Sequence, residues 1–183
     1  MLFRSRLRPE EFGGRVHQTK VGAAQYPIHS DLMNSSALPM VYPANGTYLL
    51  PQSYPEGCPL HPSYVGGHAT VAAACAVMLK AFFDETEIVT NCVVASDDGL
   101  SLTPYTGPAL TVGGEINKLA FNVAIGRNFA GIHYRTDAED GFPLGEQVAM
   151  TILQDMVDTY AEDIGGFHFT LMDGTPVTIT ARA

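Results

Sequence analysis

Cations are scarce in this chain, cysteines are few, and no apolar run is long. Lys and Arg number 10 against 19 Asp and Glu in 183 residues, a formal net charge of −9. That balance argues against a nucleic-acid-binding surface and against binding to anionic membranes. A site for a multiply charged anion would therefore have to gather scattered cations in one place. Cys58, Cys75 and Cys92 are an odd number without metal-ligand spacing, so no zinc site is implied. Cys75, inside an apolar segment, reads as a small core residue. No apolar run reaches membrane-spanning length. No basic start followed by an apolar stretch marks a signal peptide. The expectation is a soluble chain of unknown localisation, compatible with a secreted or periplasmic parent.

Hydrophobic residues make up 46% and charged residues 16%, a globular composition of single-domain length. Two stretches carry the chemistry. The first is Leu60-His61-Pro62-Ser63-Tyr64-Val65-Gly66-Gly67-His68-Ala69-Thr70. It leads into an apolar run, Ala69 to Phe83, with only Thr70 and Lys80 polar, which predicts a buried helix. Glycines at a helix start let the backbone approach a ligand, and the unpaired N–H groups of the first turn favour an anion. His68 at that end is placed for proton transfer to or from an oxyanion. The plain alternative is a flexible turn with an exposed histidine.

The second stretch is Gly126-Arg127-Asn128-Phe129-Ala130-Gly131-Ile132-His133-Tyr134-Arg135-Thr136-Asp137. Between Val21 and Gly126 the only cations are Lys80 and Lys118, so Arg127 at the end of an apolar helix stands out. Its planar fork matches an oxyanion. His133 and Asp137 are four apart and share a face if the segment is helical; a carboxylate behind an imidazole fixes its tautomer. A surface Arg and a helix-ending His–Asp pair are the alternative.

On these residues the chain resembles the C-terminal, active-site part of the vanadium-dependent haloperoxidases, most closely the algal bromoperoxidase type. That family shares a superfamily with phosphatidic-acid-type and bacterial acid phosphatases. Its three blocks correspond to Arg8-Pro9-Glu10, to Val65-Gly66-Gly67-His68, and to Gly126-Arg127 through His133 to Asp137. Tyr48-Leu49-Leu50-Pro51-Gln52, His61-Pro62-Ser63-Tyr64 and Gly114-Glu115-Ile116-Asn117-Lys118-Leu119-Ala120 also resemble algal members. The resemblance implies a mainly α helical bundle with vanadate as cofactor. His133 would be its protein ligand, Arg8 and Arg127 would neutralise its oxygens, and Gly67 would give it a backbone N–H. His68 would be the acid–base group, with Asp137 behind His133. His61 matches a histidine typical of bromoperoxidases. The implied reaction oxidises bromide or iodide with hydrogen peroxide to a hypohalous species that halogenates an organic acceptor. Phosphate has a similar shape and charge. An acid phosphatase working through a phosphohistidine is therefore one alternative, and an inactive fragment serving in assembly is another.

Two departures from the family pattern matter. Gly66 stands where a serine is usual, which removes a hydroxyl donor. The family's lysine, seven or eight positions before the Arg of Arg-Pro, falls on Met1 or just ahead of it. The chain thus reads as one cut at its N-terminus, and Arg4 or Arg6 substitutes only partly for that lysine. The expectation is an assembled site that binds vanadate weakly, with exposed apolar surface that recruits a second copy.

Organisation along the chain is expected as follows. Residues 1–65 form an arm and loops, with a basic helix stopped by Pro9. Residues 66–164 form a helical core with helices at Ala69–Phe83, Glu115–Ala130 and, opened by Pro143, Leu144–Ala161. In the last, Val148, Ile152, Met156 and Tyr160 form one apolar stripe, with Ala149, Leu153 and Val157 beside it. Residues 165–183 form a hairpin around Asp173-Gly174.

Overall fold

The computed structural model describes residues 6–49, 52–53 and 55–182. Met1, Arg4, Leu50 and Pro51, all drawn on above, lie outside the described residues. The described chain is mainly helical. In order it contains α1 (Pro9–Lys20), α2 (Ser30–Met33), α3 (Ala37–Asn45), α4 (Gly67–Phe82), β1 (Val93–Ala95), β2 (Leu102–Pro104), α5 (Val112–Phe129), α6 (Arg135–Thr159), β3 (Phe167–Thr170) and β4 (Pro176–Ile179). The strands form two antiparallel hairpins, β1–β2 and β3–β4. The C-terminal hairpin lies where expected, with Phe167 opposite Ile179 and Thr170 opposite Pro176. The β1–β2 hairpin is an element that no hydrophobic alternation announces, and its strands are exposed throughout.

The chain forms two compact units. One comprises Met1–Ala69 with Val123–Gly141, the other Thr70–Asn122 with Phe142–Ala183. In the first unit Pro9 opens a helix and does not stop one. A proline at the first helical position loses nothing, since that N–H has no helical partner anyway. It also holds Arg8 extended, at φ −69° and ψ 154°. The second helix boundary that matters is the end of α5. Gly131, at φ 80°, takes the left-handed conformation. Ile132 N donates to Arg127 O (3.3 Å) and Gly131 N to Asn128 O (3.0 Å), the paired bonds of a Schellman stop. Ile132 is fully buried just beyond it.

In the second unit the core consists of Val77, Ala149, Leu153, Phe169 and Ile179, so α4, α6 and the C-terminal hairpin share it. Two expectations are corrected there. Helix α4 is not buried all round: Val71 (62%) and Phe82 (81%) are exposed, as is Cys75, while Lys80 is buried at 1%. Helix α6 runs straight through Pro143 to Thr159, and its core stripe is Ala149, Leu153 and Val157. Val148 and Ile152 face solvent, and Tyr160 lies past the helix end, also exposed. Gly145 is required by close approach, because a Cβ there would lie 2.0 Å from the Thr70 carbonyl oxygen.

Candidate functional site

The expected site residues all fall within the first unit. Arg8 sits at the N-cap of α1, and His61 lies on the loop after α3. Gly67 and His68 open α4. Arg127 occupies the last turn of α5. His133 follows two residues after the Gly131 stop, before α6 begins. It is therefore not on a shared helix with Asp137, as supposed from their spacing, yet the pair forms. His133 Nδ1 is 3.0 Å from Asp137 Oδ2.

Asp137 makes that pair by standing at the third position of α6. Its Oδ2 also accepts the backbone N–H of Tyr134 at 3.0 Å, one half of a capping box. Its other oxygen, Oδ1, accepts from Arg6 Nη1 at 2.8 Å. The carboxylate is completely buried. Burial alone would push its pKa up. The Tyr134 N–H, His133 and Arg6 together outweigh that and hold it below the usual carboxylate value. An ionised Asp137 accepts the Nδ1–H of His133 and leaves the lone pair on Nε2.

That Nε2 is 2.9 Å from Arg8 Nη1, which donates to it. Arg8 is itself buried, and protein acceptors surround its fork. They are the carbonyls of Ile132 (3.0 Å), His61 (3.0 Å) and Pro62 (3.3 Å), with the His61 ring at 3.1 Å from Nη2. His61 therefore touches Arg8, and through Arg8 it bears on His133. Burial, and after it the charge of Arg127, lowers the Arg8 pKa. Histidines nearby respond to the same field. The His68 pKa is lowered by burial, then by Arg127 and Arg8. His133 is lowered chiefly by burial, with Asp137 opposing and Arg8 and Arg127 adding.

A narrow recess, too tight in this structure to admit a water molecule, lies among Gly66, His68, Ala69, Arg127, Asn128 and His133. Alanines 69, 124 and 138 contribute small walls to it. Gly66 fits because its N–H donates to Asp137 O at 2.8 Å, and a Cβ there would come within 3.0 Å of the same oxygen. Gly67 has open space around it. The cavity wall also carries Asn128 Oδ1, buried without a hydrogen-bond partner among the described residues. A half-turn of that amide presents its NH₂ to the cavity.

These features fit a bound oxyanion such as vanadate. Two guanidiniums and two histidines converge; burial first and then neighbouring arginine charge lower the pKa of Arg8, His68 and His133, and an anion between them would offset that charge. No cluster of His, Cys, Asp and Glu among the described residues suits a bare cation. For Nε2 of His133 to accept such a ligand, Arg8 Nη1 must first leave it. One participant escaped the sequence reading, namely Arg6, noted only as a partial substitute for a missing lysine. Its place on Asp137 depends on chain reversal far downstream, for which the sequence holds no local signal.

Comparison with known proteins bears on this site. Residues 45–162 match the family model described as VCPO second helical-bundle domain. A vanadium-dependent bromoperoxidase of Corallina officinalis is 39% identical over 95% of this chain and 32% of its own length. One from Ascophyllum nodosum is 40% identical over 94% and 33%. Among solved structures, the homohexameric second vanadate-dependent bromoperoxidase of Ascophyllum nodosum superposes with a TM-score of 0.83 at 29% identity. That match covers 96% of this chain and 36% of that one. The chain thus spans about a third of the length of the curated relatives it matches. The match to the family model over residues 45–162, with the helical architecture it describes, places this chain in the family of the VCPO second helical-bundle domain, among the vanadium-dependent haloperoxidases.

Proposed function

We propose that this chain binds vanadate at His133 and takes part in the oxidation of bromide or iodide by hydrogen peroxide. The observation that carries the reading is the convergence of Arg8, Arg127, His68 and His133 within one unit, with Nδ1 of His133 tied to a buried, ionised Asp137. Vanadate, when bound, would supply activation of hydrogen peroxide toward two-electron oxidation of halide, without changing its own oxidation state.

The protein's part is charge compensation and proton handling. Asp137 keeps the proton on Nδ1 of His133, so Nε2 offers its lone pair as the ligand atom. Arg8 moves its Nη1–H from that nitrogen to an oxygen of the anion. Its bonds to Ile132 O and His61 O keep the rest of the fork in place. Arg127 lines the same space from the end of α5, and the N–H of Gly67, at the first position of α4, would be a further donor. The pKa of His68 is lowered by partial burial and then by Arg127 and Arg8, which favours its neutral form. Its ring would serve as the acid–base group, accepting a proton from a reactant beside it and giving it back. His61 holds Arg8 from the outside and so tunes it without touching the anion.

Association with further copies of the chain belongs to the same proposal. In the second unit Val71, Phe82, Phe121, Val148 and Ile152 are exposed apolar side chains, more than a solitary chain usually leaves in water. Halide, hydrogen peroxide and an organic acceptor are the proposed reactants.

The test is a vanadate titration of the wild type and of His133→Ala, followed by bromination of a phenolic acceptor. Weak vanadate binding and at most slow turnover are expected in the wild type, and neither in His133→Ala, with helicity unchanged. His68→Ala is expected to keep vanadate but lose bromide oxidation. Full activity in His133→Ala overturns the assignment. Hydrolysis of a phosphomonoester without any bromination would convert the reading to a phosphatase.

A further inference from the structure

We infer that Arg6 is a positioning residue for the anion site, acting on His133 through Asp137. The inference rests on the reading of His133 as the anion ligand and adds a residue outside the family blocks.

The geometry is a three-part line. Arg6 Nη1 donates to Asp137 Oδ1 at 2.8 Å and to Thr136 Oγ1 at 2.6 Å. The opposite oxygen of Asp137 holds His133 Nδ1, and Nε2 of the same ring turns to Arg8 and the cavity. Arg6 is itself held from several sides. Its guanidinium lies over the rings of Tyr64 (5.0 Å) and Tyr134 (5.6 Å). Its carbonyl oxygen accepts the N–H of Ser63. The same Tyr134 donates its backbone N–H to Asp137 Oδ2. The loop bearing Tyr64 and the start of α6 thus clamp one cation onto one carboxylate oxygen.

Asp137 is entirely buried, whereas the Arg6 side chain is 40% exposed. Without Arg6 the described donors all lie on Oδ2, and Oδ1 is left buried without its cation. A carboxylate held at one oxygen only rotates about its own axis, and the His133 ring loses its fixed orientation and tautomer. Arg8 and Arg127 do not replace Arg6. Arg8 faces the other ring nitrogen and Arg127 faces the cavity, so both act on the ligand side of His133. The cation behind the carboxylate and the cations in front of the imidazole are therefore separate functions carried by separate arginines.

Three variants of the full chain test this: Arg6→Gln, Arg6→Lys and Thr136→Val. The readouts are the ring ¹⁵N shifts of His133 without any anion, and the affinity for inorganic phosphate as probe. Wild type is expected to show a single tautomer protonated on Nδ1. Arg6→Gln is expected to show mixed tautomers and about tenfold or greater loss of phosphate affinity, the range found for partners behind a ligand histidine. Arg6→Lys, which keeps the charge, is expected to restore the single tautomer and most of the affinity. Unchanged ring shifts and affinity within about twofold of wild type in Arg6→Gln overturn the inference. Should Arg6→Gln fail to fold by circular dichroism, Thr136→Val carries the test. It loosens the Arg6 fork alone, and a smaller change in the same direction supports the inference, whereas no change assigns Arg6 a structural role and overturns it. Phosphate retained by His133→Ala overturns the anion-site reading instead, while the tautomer result stands by itself.

Discussion

The two units bury opposite kinds of chemistry. The first encloses Arg8, His133 and Asp137, linked by hydrogen bonds in the interior, and Ser63 is buried as well. The second encloses Val77, Ala149, Leu153, Phe169 and Ile179, an ordinary apolar core. It holds a single buried cation, Lys80, whose Nζ donates to the Thr170 carbonyl near Glu85 and Glu146. Glu146 in turn accepts the Met172 N–H at 2.7 Å. In the second unit charge ties the C-terminal hairpin to the helices around a greasy centre. In the first, charge is the centre. On the proposed reading the first unit keeps desolvated cations ready for an anion, and that readiness costs stability.

The largest expected effect comes from cutting the polar centre. Asp137→Ala strands Arg6, His133 and the Tyr134 N–H together, and a loss of about 4 kcal/mol of stability is expected, as for breaking a buried ion pair. Anion binding should vanish with it. Chemical denaturation followed by vanadate titration checks both. A stable, binding variant would show that the first unit does not depend on its buried charge.

Leu153→Ala is the matching cut in the second unit. It removes a fully buried side chain from the apolar core, at a cost of about 3 kcal/mol. Folded Leu153→Ala is expected to bind vanadate with wild-type affinity, since no site residue lies in that unit. A large drop in affinity would break the separation between the two regions.

A third contrast is acid against alkali. The folded pKa of Asp137 is lowered, so its contribution to stability is present above its unfolded value near 3.9 and is lost as pH falls through the folded value. Lys80 is also lowered, by burial above all, despite Glu85 and Glu146. Its contribution is present above its unfolded value of about 10.4 and declines as pH falls toward the folded one. Melting across both pH windows should therefore show loss in acid and gain in mild alkali. Asp84, Asp98, Asp158 and Asp173 are lowered too, but all are surface groups. Their shifts come chiefly from hydrogen bonds to neutral hydroxyl and backbone donors, which salt does not screen, so comparison with Asp137→Asn isolates the share of Asp137. An acid transition unchanged in Asp137→Asn would remove Asp137 from the account.

The smallest effect belongs to Gly66→Ser. The added Cβ comes within 3.0 Å of the Asp137 carbonyl oxygen, so the backbone must yield by tenths of an ångström. A loss of about 1 kcal/mol is expected, together with tighter vanadate binding from the added hydroxyl. Weaker binding would show that the displaced Asp137 matters more than the extra donor.

Much of this protein was legible before any coordinates. Helix α4 after Gly66-Gly67, helix α5 into Arg127, and the hairpin about Asp173-Gly174 follow from local pattern and turn chemistry. So does the choice of His68, Arg127 and His133, which lie together on one cavity. Pro9 was misread because a proline marks a helix start as readily as a stop, and only its hydrogen-bond context distinguishes the two. The exposure of Phe82 and the burial of Lys80 were likewise beyond reach, since periodicity finds a face without telling what covers it. Pro143 within α6 belongs with these.

What the sequence by itself determined is the inventory: which donors exist, where helices run, and which glycines let chain pass close to chain. Only the tertiary structure decided the pairings. Arg6 and Asp137 are 131 residues apart and Arg8 and His133 are 125 apart, and both pairs exist because the Schellman stop at Gly131 turns His133 and the start of α6 back toward the start of α1. Local propensity acts over a few residues. Contacts across such separations are selected by burial and by the need to satisfy every desolvated charge, and those are properties of the folded whole.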